Sequence, residues 1–129
     1  MRRALHKLTT AALVLLISAC SASNSARPQG DANIIRRDQV IAGSYQTAYD
    51  VVRAIHPNWL VKRSPNNSRT PTSIWVYVDG SKYGDINWLR NVTGSSVGSI
   101  QRIDAGTATT RWGTGHSEGV LYVTTYVRN

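Results

Sequence analysis

The sequence predicts an α+β fold, in which a small mixed β-sheet carries two or three short helices. Two apolar runs, at residues 74–78 and 120–127, are rich in β-branched and aromatic side chains and favour strands. Between residues 44 and 55, apolar side chains recur at the spacing of one helix face. Because a helix and a sheet each have an apolar face to bury, we expect these elements to pack together in a single domain.

The run at residues 74–78 is the main strand prediction. It is followed by Asp79-Gly80, which favours a turn because glycine tolerates positive φ and aspartate can bond the backbone just beyond it. The run is apolar on both faces, so both faces need cover. We therefore place this strand centrally in the sheet.

The helical pattern predicts one helix over residues 44–55. Its apolar face consists of Tyr45, Ala48, Tyr49, Val52 and Ile55. Ser44 is a suitable N-cap residue. Pro57 lacks a backbone N–H and restricts the residue before it, so the helix should end near Ile55.

Shorter segments carry weaker signals. They predict a strand at residues 59–61, a short helix at 86–91 capped by Asp85, and a strand at 99–104. The segment 105–112 is ambiguous, because its alanines permit a helical turn and its threonines disfavour one.

Two segments are predicted loops. Residues 64–73 are rich in proline and asparagine, and residues 113–119 are rich in glycine. Gly113 and Gly119 flank the second loop and are expected to make the sharp turns that lead into the last strand.

The N-terminus has the features of a targeting segment. Three cations, Arg2, Arg3 and Lys7, precede an apolar run at residues 8–17 that is too short to span a bilayer core of ~30 Å. The run ends in Ile-Ser-Ala-Cys, with Cys20 last, which resembles the bacterial lipobox. The resemblance implies cleavage before Cys20 and lipidation of that residue, and the serine after it resembles the signal for export to the outer membrane. The other interpretation is an ordinary secretory leader with an incidental cysteine.

These features divide the chain into a signal peptide at 1–19, the lipidated cysteine with a flexible tether at 20–37, and a globular domain at 38–129. The tether is rich in serine, alanine and asparagine and has little apolar surface to bury. Cys20 is the only cysteine in the chain, so the domain is expected to depend on its core rather than on a disulfide.

The charge of the chain is strongly basic. Removing residues 1–19 takes away three of the 15 Lys and Arg and none of the seven Asp and Glu, which leaves a net charge of +5. Such a surface attracts anionic partners such as lipid head groups. The cations are mostly scattered rather than gathered into a stripe with aromatic residues, so we expect no nucleic-acid binding.

No catalytic, metal or cofactor site is expected. His116, Ser117 and Glu118 are neighbours in one loop, whereas a catalytic triad needs side chains that converge from separate positions, so we assign them as polar loop residues. After the leader only two histidines remain, too few for a clustered zinc site. The glycine spacing at 113–119 is not that of a dinucleotide-binding loop.

The binding candidates are basic and aromatic. Arg111, Trp112 and His116 lie close together in the sequence and would form one loop surface. Two further candidates, Lys82 and Tyr83, lie in a loop that we expect at residues 81–85.

Three motifs occur in a recognisable order. Tyr77-Val78-Asp79-Gly80 comes first, then Ile-Gln-Arg-Ile at 100–103 with an alanine-containing segment reaching Trp112-Gly113, and finally the run at 119–125. Together they resemble the plug domain of TonB-dependent outer-membrane receptors, over about residues 39–125. The family's acidic residue in the second motif is Gln101 here, and its second loop glycine is Glu118.

The resemblance implies a plug-like fold in a free-standing lipoprotein, with apical loops as the places that touch a ligand. We expect a non-enzymatic binding or protein-interaction module at the outer membrane, facing the periplasm. Its partner would be an outer-membrane or periplasmic protein, and the resemblance links it to a receptor or transport system. The other hypothesis is a structural envelope protein that contacts peptidoglycan or anionic lipid through its basic surface.

Overall fold

The computed structural model describes residues 32–63 and 72–127. The signal peptide, Cys20, most of the predicted tether and most of the predicted 64–73 loop lie outside the described residues.

The described residues form an α+β fold, which confirms the predicted class. The strands are β1 (Ile34–Arg36), β2 (Trp75–Val78), β3 (Ser81–Asp85), β4 (Val97–Ile103) and β5 (Val120–Thr125). The α-helices are α1 (Arg37–Gly43), α2 (Ala48–Ile55) and α3 (Ala105–Trp112). Short 3₁₀ helices cover Pro57–Leu60, Ile86–Asn91 and Gly94–Ser96.

The five strands form one mixed sheet in the order β1-β4-β5-β2-β3. β2 and β5 run parallel, and the other neighbouring pairs run antiparallel. β2 therefore lies inside the sheet with a partner on each side, as its apolar run predicts, and β5 is the middle strand. β1 pairs with β4 although it falls within the segment assigned to the tether.

The two faces of the sheet pack against different helices. Val76 and Leu121 point to the face covered by α1, α2 and the 3₁₀ turns, and they are fully buried there in the larger core cluster. Their neighbours Tyr77 and Val120 point to the opposite face, which carries a smaller cluster under α3. We call these the main-core face and the α3 face. Period-two alternation along each strand produces this division.

The predicted helix over residues 44–55 is present as α2, but it starts at Ala48 rather than directly after Ser44. α1 ends before Ser44, which adopts a left-handed conformation with φ of 49° and so does not cap a following helix. α2 starts after Thr47, whose side chain accepts from the Asp50 N–H while the Asp50 carboxylate accepts from the Thr47 N–H. This reciprocal capping box starts a helix more strongly than a lone serine. The end at Ile55, before Pro57, is confirmed.

Two other local predictions are wrong. Residues 59–61 lie largely in a 3₁₀ helix rather than a strand, because Pro57 presets a helical φ at its first position and Trp59 is buried against the main core. Residues 81–85 are strand β3 rather than a loop. The Asp79-Gly80 turn is tight, with positive φ at both residues, so the chain re-enters the sheet at once.

The ambiguous segment 105–112 is helix α3. The Asp104 side chain accepts a hydrogen bond from the Thr107 N–H at 3.0 Å and caps the first turn. Asp85 caps the 3₁₀ helix Ile86–Asn91 in the same way, as predicted. A cap supplies a partner for an N–H that the helix itself leaves unpaired.

Candidate binding site

Five ring-bearing side chains gather on the α3 face and form what we call the aromatic cluster: Trp75, Tyr77, Trp112, His116 and Tyr122. The centroids of the Tyr77 and Trp112 rings are 4.4 Å apart. The Trp112 ring lies 6.2 Å from Tyr122 and 6.1 Å from His116, measured between centroids. Ring pairs at these separations attract one another beyond the area they bury.

The sheet and helix α3 bring these rings together. Tyr77 and Tyr122 are partners across the parallel β2–β5 pair and so point to the same face. Trp112 is the last residue of α3, and the chain then turns at Gly113, which has a φ of 87°. Gly119 also has positive φ, and a Cβ there would lie 2.5 Å from the Ile103 carbonyl oxygen. Only glycine fits at this second turn.

His116 is a buried structural member of the cluster. Its Nδ1 lies 2.9 Å from the Gly113 carbonyl oxygen, and its Nε2 lies 3.0 Å from the Tyr77 hydroxyl. A carbonyl oxygen only accepts, so Nδ1 carries the proton and Nε2 accepts from the Tyr77 hydroxyl. Burial raises the pKa of Tyr77, which keeps that hydroxyl protonated as a donor.

Two cations lie over the aromatic cluster. The Lys82 ammonium is 3.5 Å from the centroid of the Trp75 ring. The Arg111 guanidinium carbon is 4.6 Å from the Trp112 centroid and 5.2 Å from that of Tyr122. Within the described part of the chain, no carboxylate pairs with either cation. The α3 face thus presents positive charge held against aromatic rings.

The predicted site residues divide between the two faces. Arg111, Trp112, His116 and Lys82 come together around the aromatic cluster. Tyr83, next to Lys82 in β3, packs instead on Trp88, with ring centroids 4.3 Å apart, beside the main core. Successive strand residues point to opposite faces, so Lys82 and Tyr83 are separated once residues 81–85 form a strand.

The turn residue Asp79 has a structural role. Its two carboxylate oxygens accept from the Thr125 N–H at 2.9 Å and from the Thr125 hydroxyl at 2.6 Å. The other aspartates that follow strands, Asp85 and Asp104, are occupied as helix caps. In residues 32–63 and 72–127 there is no group of three or more His, Cys, Asp or Glu side chains that could hold a metal ion.

A second concave site was missed from the sequence. His116 and Glu118 are both buried, which corrects their assignment as polar loop residues, whereas Ser117 between them is exposed. Glu118 lines a cavity of about 310 Å³ together with Ser117, Arg63 and Arg102. We call it the Glu118 pocket. No sequence signal identifies it, because the contact of Glu118 with Arg63 joins residues 55 positions apart.

No helix within the described ranges has both the length and the apolar character needed to cross a membrane. No family model, curated protein or solved structure matches the chain.

Proposed function

We propose that this protein is a non-enzymatic envelope lipoprotein, anchored through Cys20, whose domain binds an acidic outer-membrane or periplasmic protein through its α3 face. The plug-like resemblance belongs to the same proposal, as a free-standing module that works with a receptor or transport system. The lipobox resemblance at residues 17–20 supports the anchor. The aromatic cluster and its two cations support the binding surface.

The position of Lys82 and Arg111 over the rings is the observation that carries the proposal. Both side chains are exposed and make cation–π contacts, so their charges remain available to an incoming carboxylate. Aromatic residues and arginine are the side chains that most often anchor protein interfaces. The adjacent Gln101 and Thr124, on the same face, are exposed as well, so α3 covers this face only in part.

The geometry around His116 supports a non-enzymatic role. Both of its ring nitrogens are engaged, with Gly113 and with Tyr77, so it does not serve as a base for its neighbour Ser117. A catalytic histidine needs one nitrogen directed at the nucleophile or at the substrate.

A photocrosslinking residue in place of Gln101 tests the binding surface in the native envelope. We expect one discrete protein adduct from position 101, and none from position 53, which is exposed on α2 at the other side of the sheet. The double change Lys82→Glu and Arg111→Glu should abolish the adduct by reversing the charge over the rings. The matched double change Lys62→Glu and Arg53→Glu alters the net charge equally and should leave the adduct intact.

The same two double variants, tested in a sedimentation assay, distinguish this proposal from the rival hypothesis. If the protein instead contacts peptidoglycan or anionic lipid through its charge as a whole, the two double variants should lose sedimentation with cell-wall sacculi or anionic vesicles equally, and added salt should do the same. A crosslinking pattern without a protein adduct would then refute the proposal.

The anchor has its own test. Cys20→Ala should move the protein from the membrane fraction to the soluble fraction, because acyl chains contribute about 0.8 kcal/mol of membrane affinity per buried CH₂. Retention of the variant in membranes after a salt wash would contradict lipidation at Cys20.

A further inference from the structure

We propose that the Glu118 pocket binds a small molecule through a single carboxylate or phosphate group, held by Arg102 and Arg63. This site goes beyond the proposed binding surface and lies elsewhere in the fold. Arg102 alternates with Ile103 along β4, and Ile103 packs on the α3 face, so Arg102 points to the main-core face.

The pocket is a concave site with apolar and polar walls. Its volume is about 310 Å³, which exceeds that of one oxyanion and leaves room for the rest of a small molecule. Trp59, Ala105 and Ala32 contribute carbon surface, and Asn58 and Ser117 contribute polar groups.

Arg102 is the group that selects an anion. Its side chain is half-buried at the pocket, while its backbone N–H is used by the Asn33 carbonyl oxygen. In the described residues, the guanidinium of Arg102 makes no hydrogen bond. A guanidinium has five N–H donors in a planar fork that matches a carboxylate or a phosphate. A bound oxyanion would accept hydrogen bonds from this fork.

Four charged side chains line the pocket: the cations Arg63 and Arg102 and the carboxylates Glu118 and Asp104. Burial of Arg102, followed by repulsion from Arg63, lowers its pKa, and attraction to Glu118 only partly offsets this. Glu118 is 3% exposed, and one of its oxygens accepts the Arg63 N–H at 2.7 Å. The remaining acid at the rim, Asp104, has both oxygens occupied by Thr107. A ligand anion between the two arginines would reduce their mutual repulsion.

Titration of the full chain in detergent with inorganic phosphate and, separately, with acetate tests the pocket. The readout is the set of arginine Nε–H and backbone amide signals in ¹H–¹⁵N NMR spectra, at constant ionic strength kept with sodium chloride. We expect saturable shifts of Arg102 Nε–H and of the Arg63, Glu118 and Gly119 amides. The anion that binds with the higher affinity identifies the anionic group of the ligand as a phosphate or a carboxylate.

Two arginine variants and a control make the test decisive. Arg102→Gln should weaken binding about 10- to 100-fold, since charge-assisted hydrogen bonds are lost. Arg63→Gln should weaken it less, and this variant keeps the fold because the bond from residue 63 to Glu118 uses the backbone N–H. Arg53→Gln, an exposed change on α2 with the same loss of charge, should have no effect.

Neutralising the buried Glu118 should change the affinity for anions in the opposite direction to the arginine variants. Glu118→Gln should tighten anion binding, because it removes a buried negative charge that attracts Arg102 and repels an incoming anion. The proposal is overturned if neither anion gives saturable shifts, or if Arg53→Gln weakens binding as much as Arg102→Gln does. In the latter case the anions act only through net charge.

Discussion

At the scale of single residues, the hydrogen bond between Tyr77 and His116 fixes the centre of the α3 face. The two side chains come from β2 and from the loop after α3, 39 positions apart, and both are nearly fully buried. A buried acceptor that loses its donor costs free energy because water cannot replace the bond. The Tyr77 hydroxyl therefore helps to orient the loop at 113–119, together with the Trp75 Nε1–H, which donates to the Gly115 carbonyl oxygen at 2.8 Å.

Tyr77→Phe should lower the free energy of unfolding by about 1–3 kcal/mol, because Nε2 of His116 loses its buried donor. Urea denaturation followed by circular dichroism measures this. Tyr83→Phe is the matched control, since the Tyr83 side chain is 51% exposed and makes no hydrogen bond in the described residues; its effect should stay within about 0.5 kcal/mol. Equal effects of the two changes would contradict the role assigned to His116.

Residue-scale contacts also show which part of the site the sequence can predict. Arg111, Trp112 and His116 are neighbours in the chain, so their proximity follows from composition alone. The contact of Lys82 with Trp75 requires the β2–β3 hairpin to be known. Glu118 meets Arg63 and Arg102 only through the complete fold, and no local pattern distinguishes a buried glutamate from an exposed one.

At the scale of elements, caps decide the helices that periodicity leaves open. Helix α3 contains three threonines, which lower its intrinsic helix propensity. Asp104 compensates by binding both the N–H and the hydroxyl of Thr107. The hydrogen bonds to the Thr107 side chain and backbone N–H lower the pKa of Asp104 below its ordinary value of 3.8.

The lowered pKa gives α3 a defined pH dependence. The folded chain holds the charged carboxylate at lower pH than the unfolded chain does, so this stabilisation is complete above pH 3.8 and is lost as the pH falls through the folded pKa. Asp104→Asn keeps an acceptor but cannot titrate. The difference in unfolding free energy between the original protein and this variant should therefore shrink below pH 3.8.

Urea denaturation at a series of pH values measures that difference. Asp38→Asn, a change at an exposed carboxylate in α1 that makes no hydrogen bond in the described chain, is the control. A difference for Asp104→Asn that stays constant down to the acid limit would contradict the capping role.

Elements with a continuous apolar run could be predicted, and those that depend on a partner could not. β2 and β5 carry such runs, and both are strands as predicted. β3 reads Ser-Lys-Tyr-Gly-Asp, with almost no apolar content, and is a strand because β2 pairs with it across a tight turn. The start of α2 at Ala48 rather than after Ser44 follows from the left-handed Ser44 and from the Thr47 capping box, which compete with the apolar spacing that begins at Tyr45.

At the scale of the whole molecule, the main-core face holds most of the stability. The larger cluster joins most of the elements into one core: side chains from β1, β2, β4 and β5 pack there against α1, α2 and the 3₁₀ turns. The smaller cluster under α3 includes only a few fully buried side chains and lies beneath the proposed binding surface. Substitutions on the α3 face should therefore lower the free energy of unfolding less than substitutions in the main core do.

Leu121→Ala should lower the unfolding free energy by about 2–5 kcal/mol, since the side chain is fully buried in the middle strand and its removal leaves a cavity. Ile41→Ala, at a side chain that is 60% exposed on α1, should change it by less than about 0.5 kcal/mol. Urea titration of both variants measures the contrast. A small loss for Leu121→Ala would show that the main core is not packed as described.

The position of β5 has a consequence for how the chain folds while it is being synthesised. β5 is the last of the five strands in chain order, yet it lies between β4 and β2 and supplies hydrogen bonds to both. Until residue 125 has left the ribosome, the earlier strands have no bridge between their two halves. A chain that is still being synthesised therefore cannot complete the sheet before β5 is available, so closure of the sheet follows synthesis of nearly the whole domain.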